Sequence, residues 1–107
     1  MPELVYTPAA NADLIDIAAW IESQSASLET AERFLERIMA QCESLASKPS
    51  LMGRSRAELL PDMRSVPFGN YLIFMRYLPS VTVRDRLEIV NILWAGRDVE
   101  AIFDQGT

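Results

Sequence analysis

Histidine is missing from the 107 residues, and cysteine occurs once, at Cys42. A lone thiol builds no disulfide framework, so a reducing compartment, the cytoplasm, is the expected location. Without histidine the chain lacks the usual proton shuttle at neutral pH and the commonest metal ligand. Asp13 and Asp16 lie three apart and can share a helix face, but no third ligand stands near them, so no metal is expected. Neither a phosphate loop nor a dinucleotide fingerprint is formed around the four glycines, and no cofactor is expected. Met1-Pro2-Glu3 has neither the basic start nor the apolar run of a signal peptide, so none is expected. No apolar stretch approaches the roughly 20 residues of a membrane helix.

What is present suits one domain spanning residues 1–107 with one apolar core, since half of the residues are hydrophobic. The formal net charge of −5 argues against nonspecific nucleic-acid binding. Charge is unevenly placed. Residues 1–48 hold Glu3, Asp13, Asp16, Glu22, Glu29, Glu32, Glu36 and Glu43 against Arg33, Arg37 and Lys48. Residues 49–86 hold Arg54, Arg56, Arg64, Arg76, Arg84 and Arg86 against Glu58, Asp62 and Asp85. A local basic face can attract an acidic partner whatever the overall sign.

Residues 62–98 organise the pattern. Three apolar, β-branched and aromatic runs, broken by turn residues, predict an antiparallel meander. The middle run, Tyr71 to Leu78, is apolar on both alternating faces, as in a central strand covered on both sides. Gly69-Asn70 supplies a hairpin turn before it. The last run, Leu87 to Trp94, ends at Ala95-Gly96 and delivers Arg97 and Asp98. Ahead of the meander, Leu4-Val5-Tyr6 predicts a first strand. Thr7 then caps a helix whose first turn takes Pro8. Leu14, Ile17, Ala18 and Ile21 form its stripe beside Trp20, with Asp13, Asp16 and Glu22 outward and an end near Ser23 to Ser25. Ser27 caps a second helix with Glu29 in its first turn. Its stripe is Ala31, Phe34, Leu35, Ile38, Cys42 and Leu45, and Lys48-Pro49 stops it. Pro49 to Pro61 has no periodicity and is expected to be irregular. Pro79 to Arg86 is a polar connection, and Asp98 caps a short terminal helix, Val99 to Phe103. The predicted fold is α+β in the order β-α-α-β-β-β, a helical hairpin packed on a small, mainly antiparallel sheet.

These residues, taken in order, resemble the ParE branch of the ParE/RelE toxin superfamily of type II toxin–antitoxin systems. The resemblance runs through Asp13, Leu14, Ile17, Trp20 and Ile21, then Ala31 and Phe34. It continues through Pro49, Met52-Gly53-Arg54, Arg56, Glu58-Leu59, Arg64-Ser65, Gly69, Tyr71, Ile73-Phe74, Arg76, Ile92-Leu93 and Arg97-Asp98, nearly the whole chain. It implies a toxin neutralised by a cognate ParD-like antitoxin in a hetero-oligomer. It also implies DNA gyrase as the target, inhibited by binding rather than catalysis. No membrane or direct nucleic-acid partner is implied. Two alternatives stay open: a ribosome-dependent mRNA endoribonuclease of RelE type, and a degenerate toxin that only binds antitoxin.

The chemistry bears on that choice. Cleaving RNA through its 2′-hydroxyl needs a proton acceptor and cations for the charged phosphate. Leu72 stands where RelE-like enzymes tend to have arginine, Trp94 where many relatives have histidine, and Phe103 where a terminal tyrosine would be. No catalytic residue is therefore assigned. Arg64, Arg97 and Asp98 are the expected target contacts, and Trp20, Phe34, Tyr71 and Arg76 the expected antitoxin contacts. For each arginine a structural ion pair is the competing role. Trp94 is expected in the core, as are Met39, Met52, Met63 and Met75, and Cys42 is expected as a buried thiol.

Arg97 emerges where the last strand gives way to the terminal segment, a position suited to a contact residue. A surface ion pair there contributes about 0–1 kcal/mol, and loss of a buried partner costs about 3–5 kcal/mol. Arg97→Ala is therefore expected to keep the melting temperature within a few degrees and to keep antitoxin binding, while abolishing growth arrest. A strongly destabilised variant would mark the residue as structural.

Overall fold

The computed structural model describes residues 2–48, 51–79 and 85–96. The predicted stop at Pro49, most of the connection after Pro79, Arg97, Asp98 and the terminal helix lie outside the described residues.

Strand β1, Glu3–Tyr6, leads directly into helix α1, Pro8–Ser25. Thr7 makes the join: its backbone is extended and its Oγ1 accepts a hydrogen bond from the Ala10 N–H at 3.0 Å. Pro8 follows in the first turn, where its missing N–H costs nothing. Ala26, at φ 55°, turns the chain back, and Ser27 caps helix α2, Leu28–Ser47, by accepting from the Thr30 N–H at 3.1 Å. Ser25 donates to the Ile21 carbonyl and closes the last turn of α1. Both caps fall where the sequence predicts them, and the two-residue connection forces an antiparallel hairpin.

Four further strands complete the sheet: β2, Arg54–Ser55; β3, Met63–Phe68; β4, Tyr71–Leu78; and β5, Arg86–Trp94. Their order is β1-β5-β4-β3-β2, with β1 parallel to β5 and every other pair antiparallel. The expected four-stranded order is thus extended by β2, inside the stretch predicted to be irregular. Two residues are too few to show alternation, so no sequence pattern marks this strand. Gly53 makes it possible. At φ 83° it occupies a conformation that other residues rarely adopt, and a Cβ there would lie 2.6 Å from the Ser65 carbonyl oxygen. Arg64 reinforces the turn by donating to the carbonyls of Met52 at 2.8 Å and Gly53 at 2.6 Å.

The helices cover one face of the sheet. Leu14 and Ile17 of α1 and Ile38, Cys42 and Leu45 of α2 pack with Ile73, Met75, Leu87, Ile89 and Ile92. On the other face Phe74 is fully buried with Met63 and Leu93, and Leu59 and Leu60 from the segment after β2 pack against them. Met75 and Met63 are core residues as expected, whereas Met39 is exposed and Met52 half-buried. Trp94, expected in the core, is 54% exposed, because it stands at the last position of β5, beyond the helical cover.

One irregularity matters. Phe74 pairs with Asn91 and Met75 with Ile89, so Val90 is an extra residue in β5, a bulge. On its outer side β5 pairs with β1 only from Arg86 to Ile89. Beyond that point α1 takes over. The Thr7 N–H donates to the Ile89 carbonyl at 3.0 Å and the Thr7 hydroxyl to the Val90 carbonyl at 2.7 Å. Asp13 then accepts from the Ile92 N–H at 2.9 Å and the Asn91 side-chain amide at 3.0 Å. Asp13 was expected to face outward with Asp16 and Glu22; those two do, but Asp13 turns to the sheet because β5 offers an N–H with no strand to receive it.

Two outcomes are expected. Asp13→Ala leaves the Ile92 N–H and the Asn91 amide without their acceptor, at about 1–3 kcal/mol in urea unfolding. Asp16→Ala, one turn away and exposed, should change stability by no more than about 0.5 kcal/mol. Burial pushes the Cys42 thiol from 9.0 up to about 11. It also raises the Tyr6 hydroxyl, which is buried beside that thiol without a well-formed hydrogen bond. Between 9.0 and about 11 the unfolded thiol has lost a proton that the folded one keeps. This contribution to stability is complete below 9.0 and is lost as pH rises toward about 11. The urea midpoint should therefore fall across that window, less steeply in Cys42→Ala, and a slope the same in both proteins would contradict the assignment.

Candidate partner-binding site

Helix α1 presents Asp13, Asp16, Ile17 and Trp20 at positions i, i+3, i+4 and i+7, one stripe along its length. Opposite it lie the end of β5, with Ile92 and Trp94, and the start of β4, with Tyr71, which pairs with Trp94 in register. Together these seven residues line an open groove of about 460 Å³. Trp20 is 58% exposed, so an indole stands on each wall, one from the helix and one from the strand. Gly96 makes room for the Trp94 ring: a Cβ at that glycine would lie 2.7 Å from Trp94 Cη2.

The floor is firm. Asp13 holds α1 to β5 beneath the groove. Tyr71 packs on Phe34 of α2 with ring centroids 5.6 Å apart, and Phe34 meets Phe68 edge-on at 5.7 Å. Arg37 lies 5.7 Å over the Phe68 ring. Burial raises the Tyr71 hydroxyl above its usual range, so it stays neutral and can donate or accept a hydrogen bond at the mouth. The walls are apolar and aromatic, and the charge they carry is that of Asp13 and Asp16.

The predicted antitoxin contacts divide accordingly. Trp20 and Tyr71 line the groove, and Phe34 supports it from behind. Arg76 does not join them: strand alternation sends it to the opposite face, where Leu72 and Phe74 point. Its Nε is buried without a hydrogen-bond partner among the described residues. Of the predicted target contacts, Arg64 is held by the two carbonyls of the Gly53 turn. It lines a second cleft of about 580 Å³ at the far end of the sheet, with Lys48, Tyr77 and Arg86. Arg97 and Asp98 lie outside the described residues. Arg56 donates to the buried Ser65 hydroxyl at 2.9 Å, lies 3.6 Å from Glu58 and stacks 6.0 Å over Phe74, so it braces the far face. Sequence reasoning missed Trp94 and Asp13 as groove residues. The i+3, i+4, i+7 spacing from Asp13 was the available signal, but it shows only half of the groove.

Among the described residues no helix is long and apolar enough to cross a membrane, and no cluster of metal-ligating side chains forms. A comparison with curated proteins gives no match. Eight chains of solved structures match. One is described as the chromosomal ParDE TA system from P. aeruginosa; it is 22% identical, with a TM-score of 0.70 over 88% of this chain and 96% of that one. At that identity the likeness establishes the fold: a helical hairpin on a sheet of the same kind. The family model for the ParE toxin of the type II toxin–antitoxin system parDE matches residues 4–99, a span that takes in both helices and, but for Glu3 at the start of β1, all the described strands. The chain therefore belongs to the ParE toxin family.

Proposed function

We propose that this protein arrests growth by binding DNA gyrase, without catalysing a reaction itself, and that a ParD-like antitoxin silences it by docking along the groove between α1 and β5. The observation that carries the antitoxin half is the pair of exposed indoles, Trp20 and Trp94, on an apolar groove with a rigid floor. Large apolar side chains left in water on a small protein mark a partner surface. Arg64, beside its cleft at the far end of the sheet, is a target contact in this reading, and Arg97 and Asp98, outside the described residues, are the others. Such a division lets one partner bind without reproducing the other's contacts. With gyrase and an antitoxin as its partners, the protein acts in the cytoplasm in this reading.

Binding rather than cleavage is supported by the ionisable groups. The chain has no histidine. Tyr6, Tyr71 and Cys42 are all raised by burial and stay protonated at neutral pH, which is the wrong direction for a general base or nucleophile. Arg56 and Arg64 are already engaged with Ser65 and with backbone carbonyls.

The purified chain is expected to inhibit gyrase supercoiling and to leave mRNA on programmed ribosomes uncut. The product of the adjacent antitoxin gene should relieve the inhibition. Trp20→Ala and Trp94→Ala should weaken antitoxin binding by roughly 10-fold or more each while leaving inhibition intact, since a central aromatic anchor is worth about 2 kcal/mol. Ribosome-dependent cleavage would overturn the reading, and antitoxin binding without any effect on gyrase or growth would identify a degenerate toxin.

A further inference from the structure

The groove has a chemical signature beyond its apolarity. No lysine or arginine occurs before Arg33, so α1 carries Asp13, Asp16 and Glu22 with no basic residue on its own length. Asp13 is already occupied by the Ile92 N–H and the Asn91 amide. Asp16 lines the same groove, is exposed, and forms no ion pair among the described residues. Of the cations on the hairpin, Arg33 is held by Glu29 and Arg37 lies over Phe68. The groove thus joins a carboxylate with no ion pair among the described residues to two exposed indoles, with Ile17 and Ile92 buried behind them. A carboxylate beside aromatic faces favours a cation with a flat, weakly hydrated head, which is the description of a guanidinium.

The backbone adds a direction. On its outer side β5 has β1 as neighbour only up to Ile89, and the Ile92 N–H points to that side. Alternation puts the Ile92 carbonyl and the Trp94 N–H on the same side. An extended segment can therefore lie in line with β1, past the Asp13 anchor, and present alternate side chains to the groove.

We propose that the groove is a receptor for a short extended peptide segment carrying an arginine with aliphatic residues two positions to either side. The guanidinium meets Asp16 and the indoles of Trp20 and Trp94, and the aliphatic side chains two positions away, which alternation turns to the same side, lie along the same groove. Identification of that segment with the antitoxin rests on the function proposed above; the recognition chemistry rests on the groove alone.

The test uses the full chain and two capped synthetic pentapeptides, Leu-Ala-Arg-Ala-Leu and Leu-Ala-norleucine-Ala-Leu. Trp20 and Trp94 are the only tryptophans, so their two indole N–H signals in a nitrogen-15 NMR spectrum report on the site directly. The arginine peptide is expected to shift both signals and to bind roughly 10-fold more tightly than the norleucine peptide. Asp16→Asn, an isosteric change at an exposed position, should reduce the arginine peptide to the affinity of the norleucine one and leave the norleucine peptide unchanged. Higher salt should weaken the arginine peptide alone. Equal affinities, no shift of the indole signals, or indifference to Asp16→Asn would each overturn the proposal. So would indole shifts that follow protein concentration rather than peptide, since these would make the occupant a second copy of the chain. None of these results depends on gyrase inhibition or on antitoxin capture, so the two readings fail separately.

Discussion

Strand β5 has a strand on its outer side for only part of its length, because β1 pairs no further than Ile89. Ahead lie Val90, bulged out of register, and then Ile92 with an N–H pointing away from the sheet. In an apolar interior such a group is costly unless something accepts from it. Thr7 and Asp13 meet that need from the first turns of α1. Thr7 serves two structures at once: its Oγ1 accepts from Ala10 to cap the helix and donates to Val90 to extend the sheet. Asp13 finishes the task with one oxygen bonded to two donors. The angle of α1 across the sheet is therefore set by hydrogen bonds to β5 as well as by the packing of Leu14 and Ile17.

That arrangement is also what opens the groove. Had β1 run on beside β5, it would have filled the space between α1 and the strand end. Because side chains of α1 do the pairing instead, the helix satisfies the edge through Asp13 and then passes on, leaving Asp16 and Trp20 facing Trp94 across open space. The bulge contributes by changing which residues of β5 face the helices. Leu87 and Ile89 pack there below it, and Ile92, three positions beyond Ile89 rather than two or four, packs there above it. Were β5 regular over these same residues, continued alternation would turn Ile92 and Trp94 to the opposite face.

Much of this was legible in the sequence. The caps at Thr7 and Ser27, the stripe of α2 through Ala31, Ile38, Cys42 and Leu45, and the boundaries of β4 all follow from short-range rules that residue type alone decides. Four features were not legible, each for a definite reason. Strand β2 is two residues long and depends on Arg64 and a left-handed Gly53, neither of which leaves a periodic trace. The bulge at Val90 breaks no hydrophobic pattern, since Ile89, Val90, Ile92 and Leu93 are apolar whichever way they point. Asp13 resembles a solvated helix carboxylate until a distant strand offers it an N–H. Trp94 was misplaced because the strand pattern shows that it alternates inward but not where the helical cover ends.

The exposed tryptophans bear on what the fold is for. Full burial of a large apolar side chain is worth about 1.5–3 kcal/mol, a gain that Leu14 and Ile17 of α1 take. Trp20 instead sits at the groove wall, and Gly96 gives up a side chain where any Cβ would collide with the Trp94 ring. Neither choice adds to the core. Asp16 follows the same logic: it is one turn from Asp13, and on stability grounds a base at that position would relieve the excess negative charge of α1. Three features of one groove thus forgo stabilisation that nearby residues secure. Such local departures from what folding alone favours are expected where a surface is shaped for a partner, and a partner able to compensate all three carries both apolar and cationic groups.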